Sequence, residues 1–264
     1  VDLPHDWSIE DLPGTASPFQ ADAISQVSSG FTTGGTGWYR KTFAVPAALK
    51  GQRVQVQFDG VYMNAAVWLN GQSLGTHPYG YTSFWYDATD KVAFGGPNVL
   101  AVQAKNEGQN SRWYSGPGIY RHVWLRTLAP AHVVPWGTYL TTPTATAAAA
   151  QVRAQTAVVN EGPQVAALTL VTRLRNAHGQ DVARAETQQT VAAGATATFD
   201  QTLTLKAPAR WSVDQPTLFN QASQRNAWQG RCLVIVKSSP QAGTVTLRAT
   251  AAALPPTETV VATQ

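Results

Sequence analysis

The 264-residue chain is long enough for two or three small domains, each with its own core. Only 13% of its residues are charged and 44% are hydrophobic, while 21 glycines and 16 prolines cut it into short runs, a mixture that excludes a helical bundle and predicts turn-rich β structure. The net charge of +4 comes without a Lys/Arg cluster, the nearest approach being Arg173 and Arg175 around Leu174, and no apolar run nears the ~18 residues of a membrane span, so neither nucleic acid nor a membrane is expected as a partner.

Residues from Val1 to about Gly37 read as irregular, with LPHDW at the start and TTGGTGW at the end. The chain opens without an initiator Met, and Met63 is its one methionine; it is expected to begin inside a longer product whose export signal lies elsewhere. A periplasmic or secreted location is compatible with that, and the compartment stays unassigned. The run WYRKTFAV is a predicted strand. From Arg53 the period of two is clean, with Val54, Val56 and Phe58 on one side and Gln55 and Gln57 on the other. Asn70-Gly71 between apolar runs predicts a tight hairpin, because both turn positions need positive φ. Further strands are predicted at Val99–Ala104 and Tyr120–Arg126, giving a jelly-roll-like sandwich over 1–128.

A linker with two prolines is predicted from Ala129 to Pro135, after which aromatics thin out and Ala, Thr and Val dominate. Alternation at Val152, Ala154, Thr156 and Val158, at Leu168, Leu170, Thr172 and Leu174, and at Leu203 and Leu205 after Gly194 predicts an immunoglobulin-like sandwich over 129–219. A short β tail over 220–264, with Val245, Leu247 and Ala249 alternating, completes an all-β chain. Cys232, in CLVIV, is the one cysteine; it excludes an internal disulfide and is expected to be an inert buried thiol.

WYRKTF, FDGVYMNAAVWLNG, HPYGYTSF and RWYSGPGIYRHVWL, in that order, resemble the N-terminal sugar-binding sandwich of glycoside hydrolase family 2, in wording closest to its bacterial β-galactosidase branch. The resemblance implies hydrolysis of β-galactosides or related β-glycosides with retention and no redox cofactor. It also implies that the N-terminal arm packs along the first sandwich, with His5, Asp6 and Trp7 stapling it there rather than doing chemistry. APARWSVDQPTLF resembles the family's exit from its second domain. A (β/α)8 barrel of ~250 residues follows that exit in the family and supplies two catalytic glutamates. Here NQASQRNAWQ leads directly into GRCLVIVKSSPQAGTVTLRATAAAL, which resembles strands from a C-terminal β domain, so the barrel is expected to be absent and no catalytic residue is assigned.

The residues themselves support that. Of five glutamates, Glu107 and Glu161 follow an asparagine, as the family's acid/base does, but each stands between an alternating strand and a glycine and reads as a turn. Ser115, His122 and Asp87 offer the residue types of a triad without a nucleophile-elbow sequence. The five histidines lack metal-ligand spacing, so no metal is predicted, and His122 reads as a packed or edge residue. Sugar contact is better served: pyranoses present apolar CH faces for aromatics and hydroxyls for polar groups, and Asn110, Ser111, Arg112, Trp113 and Tyr114 supply both in one loop. By resemblance this loop reaches the rim of the barrel site, where some members place an Asp; Ser111 or Arg112 stands there instead, and packing of Arg112 and Trp113 between domains is an equally open role. The aromatics of HPYGYTSFWYD are expected mainly to pack, and any left exposed would favour homo-oligomers. Three functions stay open: the non-catalytic accessory portion of a β-glycosidase, a stand-alone carbohydrate-binding module, and an active hydrolase whose barrel lies outside this chain.

Overall fold

The computed structural model describes residues 1–109, 115–176, 179–208 and 210, together with the backbone of 243–251 and 254–263. Cys232 and the junction from 211 to 242 lie outside the described residues. All-β architecture is observed, with short 3-10 turns and no α-helix among the described residues. The chain divides into two compact units, Val1–Ala129 and Pro130–Gln264.

The first unit holds strands β1 (Gly35–Ala44), β2 (Arg53–Phe58), β3 (Ala65–Leu69), β4 (Gln72–His77), β5 (Phe84–Asp87), β6 (Pro97–Asn106) and β7 (Val123–Leu128). They form two antiparallel sheets, β1-β6-β3-β4 and β5-β2-β7. Alternation puts Val54, Val56 and Phe58 from β2, Val67 and Leu69 from β3, and Leu100 and Val102 from β6 into one buried core, where Phe58 stacks on Phe84 with ring centroids 4.8 Å apart. Asn70 and Gly71 make the β3–β4 turn at φ 51° and 79°. Asn70 does more than turn: its side chain donates to Lys91 O and Asn98 Oδ1 and accepts from the Val99 amide.

The N-terminal arm is stapled as expected. The His5 ring reaches the Tyr39 hydroxyl at 2.7 Å and Glu10 at 2.7 Å, and its amide donates to Ile119 O. Trp7 lies on the Gly37 backbone, where an added Cβ would come within 2.4 Å of the indole. Burial pushes the Asp6 carboxyl up, against the hydrogen bonds it accepts from Ser8.

Several phenols behave alike: burial raises Tyr39, Tyr86 and Tyr120 above the ordinary 10.0. Because the unfolded chain then loses these protons first, their contribution to stability is intact below about pH 10 and falls as pH rises through the raised values. We expect alkaline unfolding and tyrosinate absorbance to rise together; phenols that ionise with no loss of β-sheet circular dichroism would refute this.

Two boundaries differ from the sequence-based expectation. The strand predicted from Tyr120 starts at Val123. Tyr120 turns away to donate its hydroxyl to Gly80 O at 2.7 Å, Asp59 N takes His122 O, and the His122 side chain is exposed. The predicted linker through Pro135 is shorter, since β8 (Ala131–Ala145) begins almost at once. Pro135 and Trp136, the latter at φ 54°, fall where the β8 register shifts between Val133 and Thr138, so the residue without an N–H sits in a bulge.

In the second unit β9 (Ala149–Asn160) pairs with both β8 and β12 (Thr196–Lys206) in one sheet, and β10 (Ala166–Arg175) pairs with β11 (Asp181–Val191) in another. Val133, Val158, Leu170, Val191 and Phe199 close the core between them. A separate antiparallel hairpin joins β13 (Gly243–Ala251) and β14 (Leu254–Thr263).

Candidate carbohydrate-binding site

The predicted contact residues Asn110, Ser111, Arg112, Trp113 and Tyr114 lie outside the described residues. The two ends of their loop are described, and both are pinned. At the entrance, buried Asn106 donates from Nδ2 to Ser115 O across the loop base at 3.2 Å. At the exit, Gly118 and Tyr62 exchange two backbone hydrogen bonds of 2.8 and 2.9 Å, a bridge that ties the loop to the turn before β3. Ser115 is buried and its hydroxyl has no hydrogen-bond partner among the described residues.

The carboxylates weighed from sequence sit in turns. Glu107 follows β6 beside Gly108 at φ 93° and accepts the Thr36 hydroxyl at 2.5 Å. Glu161 follows β9 in a turn closed by Gly162 N donating to Asn160 Oδ1, and its side chain lies 3.8 Å from the buried His132 ring. Asp87 is engaged by Arg53 and by both the amide and the hydroxyl of Thr89, while exposed His122 stands beside Trp124, so neither meets Ser115 as a triad would require. No group of three or more His, Cys, Asp or Glu side chains is gathered for a metal among the described residues.

HPYGYTSFWYD separates into two roles. His77 stacks on Phe84 at 4.2 Å, and burial lowers its pKa; Phe84 and Tyr86 enter or line the core. Tyr79 and Tyr81 stay 56% and 57% exposed, so packing accounts for only part of the cluster. A cleft of about 960 Å³ opens between the outer strands β1 and β7; Val56, Phe58, Val102, Val123 and Leu125 line it together with polar residues that include Asp2, Thr36, Arg40 and Lys41.

A further aromatic array was not legible in the sequence. Gln57 on β2 pairs with Trp85 on β5 and with Trp124 on β7, so the three side chains form one row across the face opposite Phe58. Asp59 accepts from Gln57 Nε2 and from Trp124 Nε1, both at 2.7 Å, and Arg126 donates to Gln57 Oε1 at 3.3 Å. Trp85 is half-buried and Trp124 is 44% exposed. Further along the same face Gln55 and Leu128 are buried, which confines the open part to this row.

The model of the glycosyl hydrolases family 2 sugar binding domain matches residues 17–129, and a second model described as glycosyl hydrolases family 2 matches 132–224. Beta-galactosidase BoGH2A of Bacteroides ovatus is 45% identical over 220 residues, 83% of this chain and 25% of that protein. A putative beta-glucuronidase of Formosa agariphila is 34% identical over 229 residues, 85% of this chain and 20% of that one. A solved glycosyl hydrolase family 2 member from Bacteroides cellulosilyticus superposes with a TM-score of 0.78 at 49% identity, over 82% of this chain and 28% of that chain. The chain therefore spans about a quarter of the length of the relatives it matches. With adjoining family models over both of its sandwiches, and a solved member that shares their fold at that identity, the chain belongs to glycosyl hydrolases family 2.

Proposed function

We propose that this chain is the non-catalytic accessory portion of a retaining β-glycosidase of the β-galactosidase type, inactive by itself, and that it contacts a β-galactoside-type sugar through Asn110–Tyr114. The observation that carries this is the clamp at the base of that loop: Asn106 to Ser115 and Tyr62 to Gly118 hold both ends of a segment whose residues suit a pyranose. The identity to a beta-galactosidase supports the substrate class, and the turn positions of Glu107 and Glu161 support inactivity. Retaining hydrolysis needs two carboxyl groups ~5–5.5 Å apart, one of them with a raised pKa.

The test has two arms. Incubation with a chromogenic aryl β-galactoside is expected to release no aglycone above the uncatalysed rate; sustained turnover that survives further purification would overturn the inactivity. Titration of the chain with methyl β-galactoside is expected to give weak saturable binding that Trp113→Ala lowers about tenfold, since the ring supplies the stacking face. Unchanged affinity in that variant would remove the loop from the reading.

A further inference from the structure

We propose that the outer face of the β5-β2-β7 sheet carries a second carbohydrate site, a platform formed by Trp85, Gln57 and Trp124 with Asp59 beside Trp124, for a neutral β-linked hexose disaccharide or longer oligosaccharide. It rests on the reading that this chain contacts carbohydrate, and not on the loop at Asn110–Tyr114.

The register builds the platform. Gln57 is the shared partner of Trp85 and Trp124, so the two Cα positions stand two strand spacings apart, about 10 Å. That separation is close to the end-to-end length of a β-linked disaccharide, so the outer part of each of its two rings can lie against one indole. Both side chains point away from the core by simple alternation: Phe84 and Tyr86 on either side of Trp85, and Val123 before Trp124, pack inward. A tryptophan left 44% exposed beside a half-buried one on a pleated sheet leaves part of the apolar ring surface open to solvent.

The polar groups beside the rings are already oriented. Asp59 receives one hydrogen bond on each oxygen, from Gln57 to Oδ1 and from Trp124 to Oδ2. A carboxylate offers about four lone-pair sites, so each oxygen retains one for a sugar hydroxyl. The Trp124 bond also fixes the indole plane in advance, which lowers the ordering cost of binding. Arg126, bonded to Gln57, can donate from its remaining guanidinium hydrogens, and exposed His122, with its ring centroid 5.5 Å from Trp124, lengthens the platform at the open end. Stacking faces next to a hydroxyl-binding carboxylate match a sugar, whose ring alternates CH faces with an equatorial belt of hydroxyls. The Asp59 carboxylate disfavours an anionic group on the ring that lies against Trp124, which favours neutral hexoses over uronic acids at that position.

The experiment uses the whole 264-residue chain, with lactose as the neutral β-galactosyl disaccharide and a β-glucuronide as the anionic comparison. Nitrogen-15 spectra of the nine indoles, assigned by substitution, read the binding residue by residue. Lactose is expected to shift the Trp85 and Trp124 indole signals saturably, and Trp85→Ala or Trp124→Ala is expected to weaken that site at least about fivefold. Trp124→Phe keeps an aromatic face while losing the bond to Asp59 and is expected to fall between wild type and alanine, which guards against a folding artefact. Trp38→Ala, in the other sheet, is expected to bind as wild type. Signals of Trp85 and Trp124 that do not respond to lactose, or alanine variants of wild-type affinity, overturn the platform; a Trp113-dependent site seen in the same titration would leave the loop reading standing. Preference for the glucuronide overturns the assignment to neutral sugars.

Discussion

Phe58→Ala is expected to cost the first unit about 3–5 kcal/mol, a large share of the ~5–15 kcal/mol that holds a domain folded. Phe58 is fully buried, and its register partners are Phe84 and Val123, so it touches both neighbouring strands of its sheet. Its ring lies nearly parallel to that of Phe84, 12° between planes. Removing it leaves a cavity lined by valines that are themselves fully buried and cannot collapse without dragging the sheets together. Phe58→Leu keeps most of the volume and is expected to cost less than about 2 kcal/mol. Indole fluorescence in urea reports this unit selectively, because Trp7, Trp38, Trp68, Trp85, Trp113 and Trp124 fall within it and only Trp136, Trp211 and Trp228 beyond it. A fluorescence midpoint in Phe58→Ala equal to that of Phe58→Leu would mean that the core relaxes around the loss. The effect would reach function as well, since Phe58 stands between Gln57 and Asp59 and its packing holds that strand in the register on which the Trp85–Gln57–Trp124 row depends.

That row shows why parts of the molecule were legible in the sequence and others were not. Alternation at Val54, Val56 and Phe58 and the turn at Asn70-Gly71 are local properties, set by pleat and by backbone φ, and the structure has both. Trp85 and Trp124 are 39 positions apart in the sequence and become neighbours of Gln57 only through strand pairing, which no local pattern states. The same limit explains Tyr120, whose alternation with His122 and Trp124 imitates a strand while its hydroxyl is drawn to Gly80 O, 40 residues earlier. Gln55 reads as exposed by its polarity, yet it is buried, with no partner for Oε1 among the described residues, because burial on the outer face depends on what covers that face rather than on the strand's own residues. Pro135 reads as a linker residue since a proline removes a ladder donor, but a bulge accommodates it inside β8. For the candidate site, the sequence supplied a loop of suitable chemistry, and the structure supplied its clamp and a separate, preoriented aromatic row.

The clamp carries the second large effect. Gly118→Ala is expected to destabilise the first unit by about 2–4 kcal/mol and to weaken sugar binding by the loop beyond what lost folding explains. Two costs combine at this position. Gly118 holds φ at 124°, which a side-chain-bearing residue rarely adopts, and an added Cβ would stand 2.4 Å from the Tyr39 hydroxyl and 2.8 Å from the His5 carbonyl oxygen. Tyr39 cannot retreat freely, because its hydroxyl meets the His5 ring and the Ile119 amide, and His5 N is itself bonded to Ile119 O. Relief of the clash must therefore move the arm or the Gly118–Tyr62 bridge, and the bridge is what fixes the loop exit. Gly108→Ala separates the two costs: its φ is 93°, but nothing lies within 4 Å of the added carbon, so it should lose about 1 kcal/mol from backbone strain alone. Both variants are compared by urea midpoint, and then by galactoside titration under conditions where each is fully folded. Equal midpoints for the two would show that the arm yields without resistance. A folded Gly118→Ala that binds galactoside as wild type does would show that the loop keeps its shape without the bridge, leaving Asn106 and Ser115 to position it.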